Sequence, residues 1–451
     1  MNSMRDDARR ITPGALYQLA ASFPMLRQAG LLFGIEIVSH ALDYLFHIYV
    51  GRTLAPGSFA VFQSYSAVAM LFITLSGVLQ PAVARYTAAP PAIDSGPVSP
   101  GAILRTYLWQ GVAVGIAIGL LLYLAAPAVS RAILLPVAML HLIAFMMPVA
   151  MARPVLLGLF QGQTRFGSYG GITLLYAVSR LSLVVAGLSV GGLAAGAQGA
   201  GGAGDPAAYW AAQTIPFSMV LAVALGVFLA RRELRQRGTL SWRISLQGWQ
   251  LSLVALMIAA AFTALTGLDV VWVNRIMHSD VAGAYARALV LRRIVQFVPV
   301  VAGVVLLPRV ASAYRGGQIA ARPIALAIGV VLANGAALTV LYALLGGAID
   351  RLAFGAGQDP PTTWLVGMAV AMTGYGLVLV WINVFIATRP LPFGYLLLAA
   401  APLQIGLFLW LGRSPEAVVI ILAATGWLLA LAGAALYLFW LEPPTGHQSD
   451  S

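Results

Sequence analysis

Four ionisable residues lie at helical spacing within one apolar stretch near the start of the chain. In "GIEIVSHALDYLFHIYV", residues 34–50, Glu36, His40, Asp43 and His47 are separated by four, three and four positions. At about 3.6 residues per turn, this spacing places all four on one face of a helix. Carboxylates and imidazoles that alternate along such a face can pass protons or cations. The pattern predicts a proton or ion relay, and the alternative is a buried polar seam that joins helices by hydrogen bonds.

Five arginines lie within apolar runs rather than between them: Arg153, Arg180, Arg287, Arg292 and Arg293. A guanidinium group can bind phosphate oxygens through paired hydrogen bonds. We therefore predict a cavity for an anionic, phosphate-bearing substrate, lined by Arg180, Arg292, Arg293 and Arg287. Arg153 and Arg287 lie nearer the ends of their runs, from which a long side chain can also reach the membrane surface. The alternative for each arginine is that it neutralises an intramembrane carboxylate inside the bundle.

Other kinds of chemistry find no support in the sequence. His141 and His278 have no second ligand at helical spacing, and the chain has no cysteine, so no metal site is predicted. There is no phosphate-binding glycine loop and no nucleophile elbow. We therefore expect no cofactor and no enzymatic activity.

The composition restricts the class of protein. The chain has 451 residues, of which 60% are hydrophobic and 9% charged, whereas roughly a quarter of the residues in a soluble domain are charged. It is therefore expected to be a polytopic membrane protein. Its net charge of +12 comes entirely from arginine, mostly between apolar runs, which is typical of membrane orientation rather than of nucleic-acid binding. No cleavable signal peptide is expected, since the first apolar run is long and contains ionisable residues.

Twelve apolar runs are long enough to cross roughly 30 Å of hydrocarbon. They cover about 28–50, 58–84, 104–126, 134–160, 167–192, 208–231, 246–276, 283–311, 322–348, 363–388, 392–412 and 415–440. With a cytoplasmic N-terminus, the inner segments hold sixteen arginines and the outer segments five. An excess of positive charge marks the cytoplasmic side, so both termini are predicted to be cytoplasmic.

The chain divides at its longest cationic connection, "RRELRQRGTLSWR", residues 231–243. We predict an N-terminal lobe of six helices over residues 1–230, a cytoplasmic linker over 231–245 and a C-terminal lobe of six helices over 246–451. A second connection, "GAQGAGGAGDPAA", residues 196–208, is predicted to be a flexible outer loop.

An internal repeat relates the two halves. At an offset of 226 positions, "LDYLFHIYVGRTLAPGSFA" from Leu42 aligns with "LDVVWVNRIMHSDVAGAYA" from Leu268, which pairs Asp43 with Asp269 and Gly57 with Gly283. Both segments begin on the same side of the membrane, so the lobes should be related by a pseudo-two-fold axis along the membrane normal. The predicted fold class is an all-α membrane protein of about twelve transmembrane helices in two such lobes. Because paired positions on two lobes can line a central cavity, Asp269 is also predicted to line it.

Three segments carry a resemblance to a known family: "YVGRTLAPGSFAVFQSYSAVAML", "LLGLFQGQTRFGSYG" and "LDVVWVNRIMHSDVAGAYARALVLRRIVQFVPVVAGVVLLPRVASAY". They resemble the polysaccharide-transporter branch of the multidrug/oligosaccharidyl-lipid/polysaccharide exporter superfamily. The resemblance implies a secondary transporter in the bacterial inner membrane that flips or exports a lipid-linked oligosaccharide or polysaccharide precursor by alternating access. The implied partners are membrane lipid, an anionic lipid-linked glycan and glycan-assembly proteins, with no nucleic acid.

Three other functions are weighed against this expectation. A drug or small-cation exporter of the same superfamily would favour an acidic cavity without mid-span arginines. A non-transporting component of a glycan-export complex is another alternative, which transport assays with the polar seam mutated would distinguish. A membrane glycosyl-transfer enzyme would be expected to have a large outer loop with reactive side chains, and the predicted outer loops are short.

Overall fold

The computed structural model describes residues 24–90, 92–93, 96–190, 204–236, 238, 242–316, 318, 320–357, 359–388 and 390–440. Both chain termini and most of the predicted flexible loop, from 196 to 203, lie outside these ranges. Twelve helical segments in the described part are long and apolar enough to cross a membrane. The predicted number of spans is therefore confirmed, and a multi-pass membrane protein is the class the chain belongs to.

The spans are numbered 1 to 12 in chain order. Their helices are Pro24–Thr53 (span 1), Pro56–Ser76 with Leu79–Ala88 (span 2), Pro100–Ile133 (span 3), Val137–Gly162 (span 4), Phe166–Val190 (span 5), Pro206–Leu229 (span 6), Trp242–Gly267 with Asp269–Ile276 (span 7), Ser279–Arg315 (span 8), Ala321–Phe354 (span 9), Thr362–Ala387 (span 10), Pro390–Leu411 (span 11) and Pro415–Trp440 (span 12). A short helix, Arg231–Leu234, follows span 6. The strands Ala92–Ile93 and Gly96–Pro97 form an antiparallel pair, with Ala92 opposite Pro97 and Ile93 opposite Gly96.

The spans form two lobes of six, as the sequence predicts. Spans 1–6 make the N-lobe and spans 7–12 make the C-lobe. The central helix of each lobe is the one most enclosed by its neighbours: 72% of the apolar window of span 4 and 78% of that of span 10 is buried, against at most 44% in any other span. The predicted fold class is therefore confirmed.

Span 2 is broken between its two helices. Pro81 lies in the first turn of the second helix, where its missing N–H is tolerated. A continuous helix would press the proline ring against the carbonyl of Gly77, four residues earlier. The chain instead makes a tighter turn, in which Gln80 N donates to Gly77 O at 3.2 Å. Span 7 is also interrupted, at Leu268, so that Asp269 begins a new helix.

Several helices extend past their predicted boundaries; span 3, for example, covers Pro100–Ile133 where 104–126 was expected, and spans 9 and 7 show the reason. Span 9 continues to Phe354, six residues past the predicted end at 348, because the charge of Asp350 is compensated within the fold and does not end the helix. Span 7 begins at Trp242, inside the predicted linker of residues 231–245. A boundary predicted from hydropathy falls near the first charged side chain, whereas the helix itself ends where its backbone hydrogen bonds end.

The lobes meet at the end of the bundle that carries residues 54–55, 277–278 and 355–357, which we call the outer end after the arginine distribution. There, a Cβ atom built on Gly57 would lie 2.8 Å from Cβ of Ser279, and one built on Gly283 would lie 2.7 Å from Cα of Pro56. Real Cβ atoms do not approach other atoms so closely. Gly57 and Gly283, which are equivalent in the repeat, therefore allow the two lobes to touch.

A second contact at the outer end joins span 1 to span 9. Arg52 Nε donates to the carbonyl of Ala353 at 2.5 Å, and its Nη2 donates to the carbonyl of Leu352. These acceptors belong to the last turn of span 9, where helix carbonyls lack partners within the helix. An arginine of the N-lobe therefore caps a helix of the C-lobe.

Contacts between the lobes differ along their length. Spans 2 and 7 stay joined towards the inner end, where Thr74 and Thr263 lie 3.3 Å apart through their hydroxyl oxygens. On the inner side of the Asp43 and Arg293 pair, spans 1 and 8 approach each other through the rings of His40 and Phe297, whose centroids lie 6.4 Å apart. The gap between spans 1 and 8, which we call the interlobe gap, is thus closed at the outer end by direct contacts.

Candidate functional site

Asp43 is the centre of the charged residues between the lobes. Its Oδ1 forms an ion pair with Nη2 of Arg180, which comes from span 5 of the same lobe. Its Oδ2 lies 3.9 Å from Nη1 of Arg293, which comes from span 8 of the C-lobe. The side chains of Asp43 and Arg293 are each 35% exposed, whereas that of Arg180 is 8% exposed. One half-buried carboxylate is therefore shared by two guanidiniums from opposite lobes.

His47 extends this cluster towards the outer end. Its Nε2 lies 3.8 Å from Oδ1 of Asp43, one helical turn away. Its Nδ1 lies 3.1 Å from Nε2 of Gln63 in span 2, and the histidine itself is buried. The buried oxygen of the Gln63 amide has no hydrogen-bond partner among the described residues. His47 therefore belongs to the same polar cluster as Asp43, on its buried side.

Glu36 and His40 contact other parts of the structure. Glu36 accepts a hydrogen bond from the hydroxyl of Tyr169 in span 5 at 3.0 Å. His40 is exposed and lies edge-on to the ring of Phe297 in span 8, with ring centroids 6.4 Å apart. Among the described residues, the only ion pair between two members of the predicted relay joins Asp43 to His47. Any transfer from Glu36 to Asp43 would have to pass through water or a moving side chain.

A tyrosine lies between two arginines in the interior of the N-lobe. The guanidinium carbon of Arg180 is 5.1 Å, and that of Arg153 4.7 Å, from the ring centroid of Tyr176. Arg180 also lies 4.4 Å from the ring centroid of Phe46. A cation above an aromatic face gains about 0.5–2 kcal/mol. Among the described residues, no carboxylate oxygen lies within ion-pair distance of Arg153, so its charge is balanced less completely than that of Arg180.

Arg292 and Asp269 pair inside the C-lobe. Nη1 and Nη2 of Arg292 lie 2.6 and 2.8 Å from the two carboxylate oxygens of Asp269. The hydroxyl of Tyr285 donates to the same carboxylate at 2.5 Å. The side chains of Arg292 and Asp269 are 3% and 0% exposed. Asp269 therefore does not share the exposure of its repeat counterpart Asp43, because its charge is satisfied within its own lobe.

Arg287 lies at the outer end of the C-lobe rather than beside Asp43. Its Nη1 is 3.3 Å from Oδ2 of Asp350, whose side chain is 0% exposed. The guanidinium carbon of Arg287 lies 5.5 Å from the ring centroid of Phe354. Arg287 therefore neutralises a carboxylate inside the bundle, which is the alternative role given for the intramembrane arginines.

The sequence reasoning did not single out three residues that prove central to these contacts: Gln63, Tyr176 and Asp350. An amide within an otherwise apolar run is a signal that could have identified Gln63. Asp350 follows the predicted end of its run, at residue 348, by two residues. Tyr176 carries no such signal, since tyrosine is common in membrane helices.

The arrangement favours an anion in the interlobe gap. Three guanidiniums, of Arg153, Arg180 and Arg293, lie near two carboxylates, of Asp43 and Glu36, which leaves positive charge in excess. Within the described residues no group of three potential metal ligands occurs. The charged groups gathered between the lobes are therefore mainly guanidiniums, with Asp43 as the carboxylate that they share.

Comparison with known proteins identifies the fold. No family model matches the chain, and no curated protein matches it significantly. Solved structures do match over most of the chain. The inward closed conformation of the lipid II flippase MurJ has a TM-score of 0.67 at 10% identity, covering 90% of this chain and 87% of that one. The inward-facing conformation of a multidrug resistance MATE family transporter of the MOP superfamily has a TM-score of 0.65 at 13% identity, covering 90% and 96%.

A third structure, the eukaryotic MATE transporter AtDTX14, has a TM-score of 0.56 at 14% identity, covering 92% of this chain and 96% of that one. The chain therefore has the two-lobed fold of MOP superfamily transporters. At these identities the likeness describes the fold, and the substrate has to be inferred from the residues of this chain.

Proposed function

We propose that this protein is a secondary transporter that flips or exports an anionic lipid-linked oligosaccharide or polysaccharide precursor by alternating access. Its fold is that of MOP superfamily transporters, its lobes touch at the outer end, and the side chains of Asp43 and Arg293 between spans 1 and 8 are each 35% exposed. Such an arrangement suits a substrate that approaches from the inner side of the membrane.

The observation that carries this proposal is the position of Arg293. Its side chain is 35% exposed in the interlobe gap, and its only described ion pair is the 3.9 Å contact with Asp43. A guanidinium has five N–H donors, so most of them are available to a ligand. Arg180 lies on the other oxygen of the same carboxylate. A phosphate or diphosphate between the lobes could therefore take hydrogen bonds from both arginines and bridge the lobes.

Ion coupling in this proposal depends on Asp43. The carboxylate competes with a substrate phosphate for the same two arginines, so gain of a proton by Asp43 would release both guanidiniums to the substrate. His47 and Gln63 form the buried side of the cluster, and Glu36 lies nearer the inner end. Members of the predicted relay would then exchange protons or cations during the cycle.

A drug or small-cation exporter is the second candidate, and two observations favour it. Asp43 is partly exposed in the interlobe gap, where it could bind a cation. The fold matches a multidrug MATE transporter nearly as well as a lipid flippase. The excess of arginine near Asp43 is unfavourable for a cation, which is why we rank this function second.

Transport by the purified protein in lipid vesicles tests both. We would compare a fluorescent polyprenyl-diphosphate-linked sugar with the cationic dye ethidium, using Arg293→Gln and, as a control, Arg351→Gln, whose side chain is 61% exposed. The proposal expects glycolipid transport that is strongly reduced in Arg293→Gln and retained in the control. Transport of ethidium alone would support the exporter. Transport of neither, with folded protein present, would indicate a non-transporting component of an export complex.

A further inference from the structure

Three C-lobe residues at the outer end have no part in the substrate binding described above: Arg287, Asp350 and Phe354. We propose that Phe354 is the plug of an outer gate, formed with Gly51 and Phe59, and that the Arg287–Asp350 ion pair is what holds the plug in place. This proposal rests on alternating access, the mechanism of the proposed function.

Phe354 fits into a socket made by the other lobe. Its side chain is buried, at 3% exposure. A Cβ atom built on Gly51 would lie 2.6 Å from Cε1 of Phe354 and 2.9 Å from Cζ of Phe59. The rings of Phe354 and Phe59 have centroids 6.0 Å apart. Because Gly51 and Phe59 belong to spans 1 and 2, Phe354 has to leave this socket if the lobes part at the outer end.

The ion pair lies directly beside the plug. Asp350 precedes Phe354 by four residues, one turn of span 9, and is fully buried. Arg287 contacts both residues, since its Nη1 lies 3.3 Å from the Asp350 carboxylate and its guanidinium carbon 5.5 Å from the Phe354 ring. One guanidinium from span 8 therefore fixes the turn of span 9 that carries the plug.

The architecture of a lobe does not require these charges. The position equivalent to Arg287 in the N-lobe, at the offset of 226, is Val61. Span 3, the counterpart of span 9, contains no acidic residue between Pro100 and Ile133. Taking an ion pair out of water is costly, and an apolar pair of similar volume is often as stable. The charges are therefore better explained by a role at this gate than by the stability of the helices.

One carboxylate oxygen supports a switching role. Oδ1 of Asp350 is buried and receives no hydrogen bond from a described N–H or hydroxyl donor, and besides Arg287 the carboxyl group of Asp359 lies close to Asp350. A half-satisfied buried carboxylate is less stable than a fully paired one such as Asp269. The pair can therefore hold the plug and still release it, which a gate that opens in every cycle requires.

The test uses the absence of cysteine in the chain. Ser64 is 0% exposed and lies between the lobes, with its Oγ 3.4 Å from the carbonyl of Val270. In a Ser64→Cys background, a membrane-impermeant maleimide would be added to vesicles of both orientations, and the rate of labelling from the outer side would be measured. No substrate is needed, so failure of the proposed glycolipid transport would leave this measurement intact.

We expect Phe354→Ala, Gly51→Ala and Asp350→Asn each to raise the labelling rate by about tenfold, because each removes the plug, its socket or its support. Asp350→Asn could also fail to fold, since it leaves Arg287 unpaired. The double variant Arg287→Met/Asp350→Leu removes both charges and should fold, with the same rise in labelling. Arg131→Gln, which removes an exposed outer guanidinium that bonds to the carbonyl of Pro127 in its own helix, is the matched control and should label at the parent rate.

Two results would overturn the proposal. Parent-like labelling of Phe354→Ala would show that Phe354 is not the plug. Increased labelling of Phe354→Ala together with parent-like labelling of the folded Arg287→Met/Asp350→Leu variant would show that the ion pair does not hold it.

Discussion

Arg293 of the C-lobe and Asp43 of the N-lobe lie 3.9 Å apart across the interlobe gap, measured from Nη1 to Oδ2. The preceding residue, Arg292, points into the C-lobe, where it is 3% exposed and paired with Asp269. Successive residues of a helix lie about 100° apart around its axis, so one turn presents a guanidinium to each environment. Two adjacent arginines therefore offer a direct comparison of a ligand-binding role with a structural one.

Arg293→Gln and Arg292→Gln should fail in different ways. Arg292→Gln leaves the buried Asp269 without its partner, which can cost about 3–5 kcal/mol, so we expect little folded protein. Arg293→Gln removes a half-exposed charge and should leave folding within about 1 kcal/mol of the parent, while glycolipid transport falls by about tenfold or more. Size-exclusion profiles, thermal unfolding and vesicle transport measure these effects. Normal transport by a folded Arg293→Gln protein would remove this residue from the binding site.

The variants Asp43→Asn and Glu36→Gln test the predicted relay. If Asp43 and Glu36 exchange protons, both variants should fold and bind substrate but transport it at rates that no longer depend on a pH gradient. If they only join helices, Asp43→Asn should mainly reduce folded protein, because Arg180 is left buried and unpaired.

The measurement is transport in vesicles with and without an imposed pH gradient. Asp43→Asn combined with Arg180→Gln is the control for the buried charge, since it no longer leaves Arg180 unpaired, and Arg293, which also loses its partner, is 35% exposed. Gradient-driven transport that survives in both single variants would leave these residues as packing.

Gly283→Val should separate the lobes at the outer end. The side chain would meet the backbone of Pro56, whose Cα lies 2.7 Å from the position of a Cβ atom, and a backbone cannot rotate away as a side chain can. We expect more labelling of Ser64→Cys from the outer side. Gly329→Ala, with nothing within 4 Å of its Cβ, is the control, and it should be neutral or more stable by roughly 0.5–1 kcal/mol. Equal labelling in the two variants would mean that the glycine contact does not control opening.

Both termini are predicted to be cytoplasmic, from the ratio of sixteen inner to five outer arginines. In the cysteine-free chain, Arg235→Cys should react with an impermeant maleimide only in inside-out vesicles, and Arg413→Cys only in right-side-out vesicles. Reaction of Arg235→Cys from the outer side would invert the topology and, with it, the direction of transport.

The sequence was sufficient for the number of spans and the two-lobe arrangement, because both follow from long apolar runs and from an internal repeat. It was insufficient for the interruptions at Gly77 and Leu268, which depend on local backbone geometry, although Pro81 offered a signal for the first. The extension of span 9 past residue 348 was also missed. Whether a charge ends a helix depends on its partner, and the partner of Asp350 is 63 residues away in the chain.

The same limit applies to the site. Spacing placed Asp43 and His47 together because they share one helix. It could not distinguish Arg292 from Arg293, since the partner of each lies on a different helix. The sequence predicts only that an intramembrane arginine meets either water or a carboxylate. The orientation of span 8 decides that Arg292 meets a carboxylate and that Arg293 faces the interlobe gap.

The cap that Arg52 places on span 9 stabilises the form that is closed at the outer end, but only modestly. Its two hydrogen bonds come from an exposed guanidinium and compete with water, so together they stabilise closure by only about 1–2 kcal/mol. That corresponds to a ratio of roughly 5 to 30 between closed and open molecules from this contact alone. Loss of Arg52 would therefore shift the population by the same factor towards molecules that are open at the outer end.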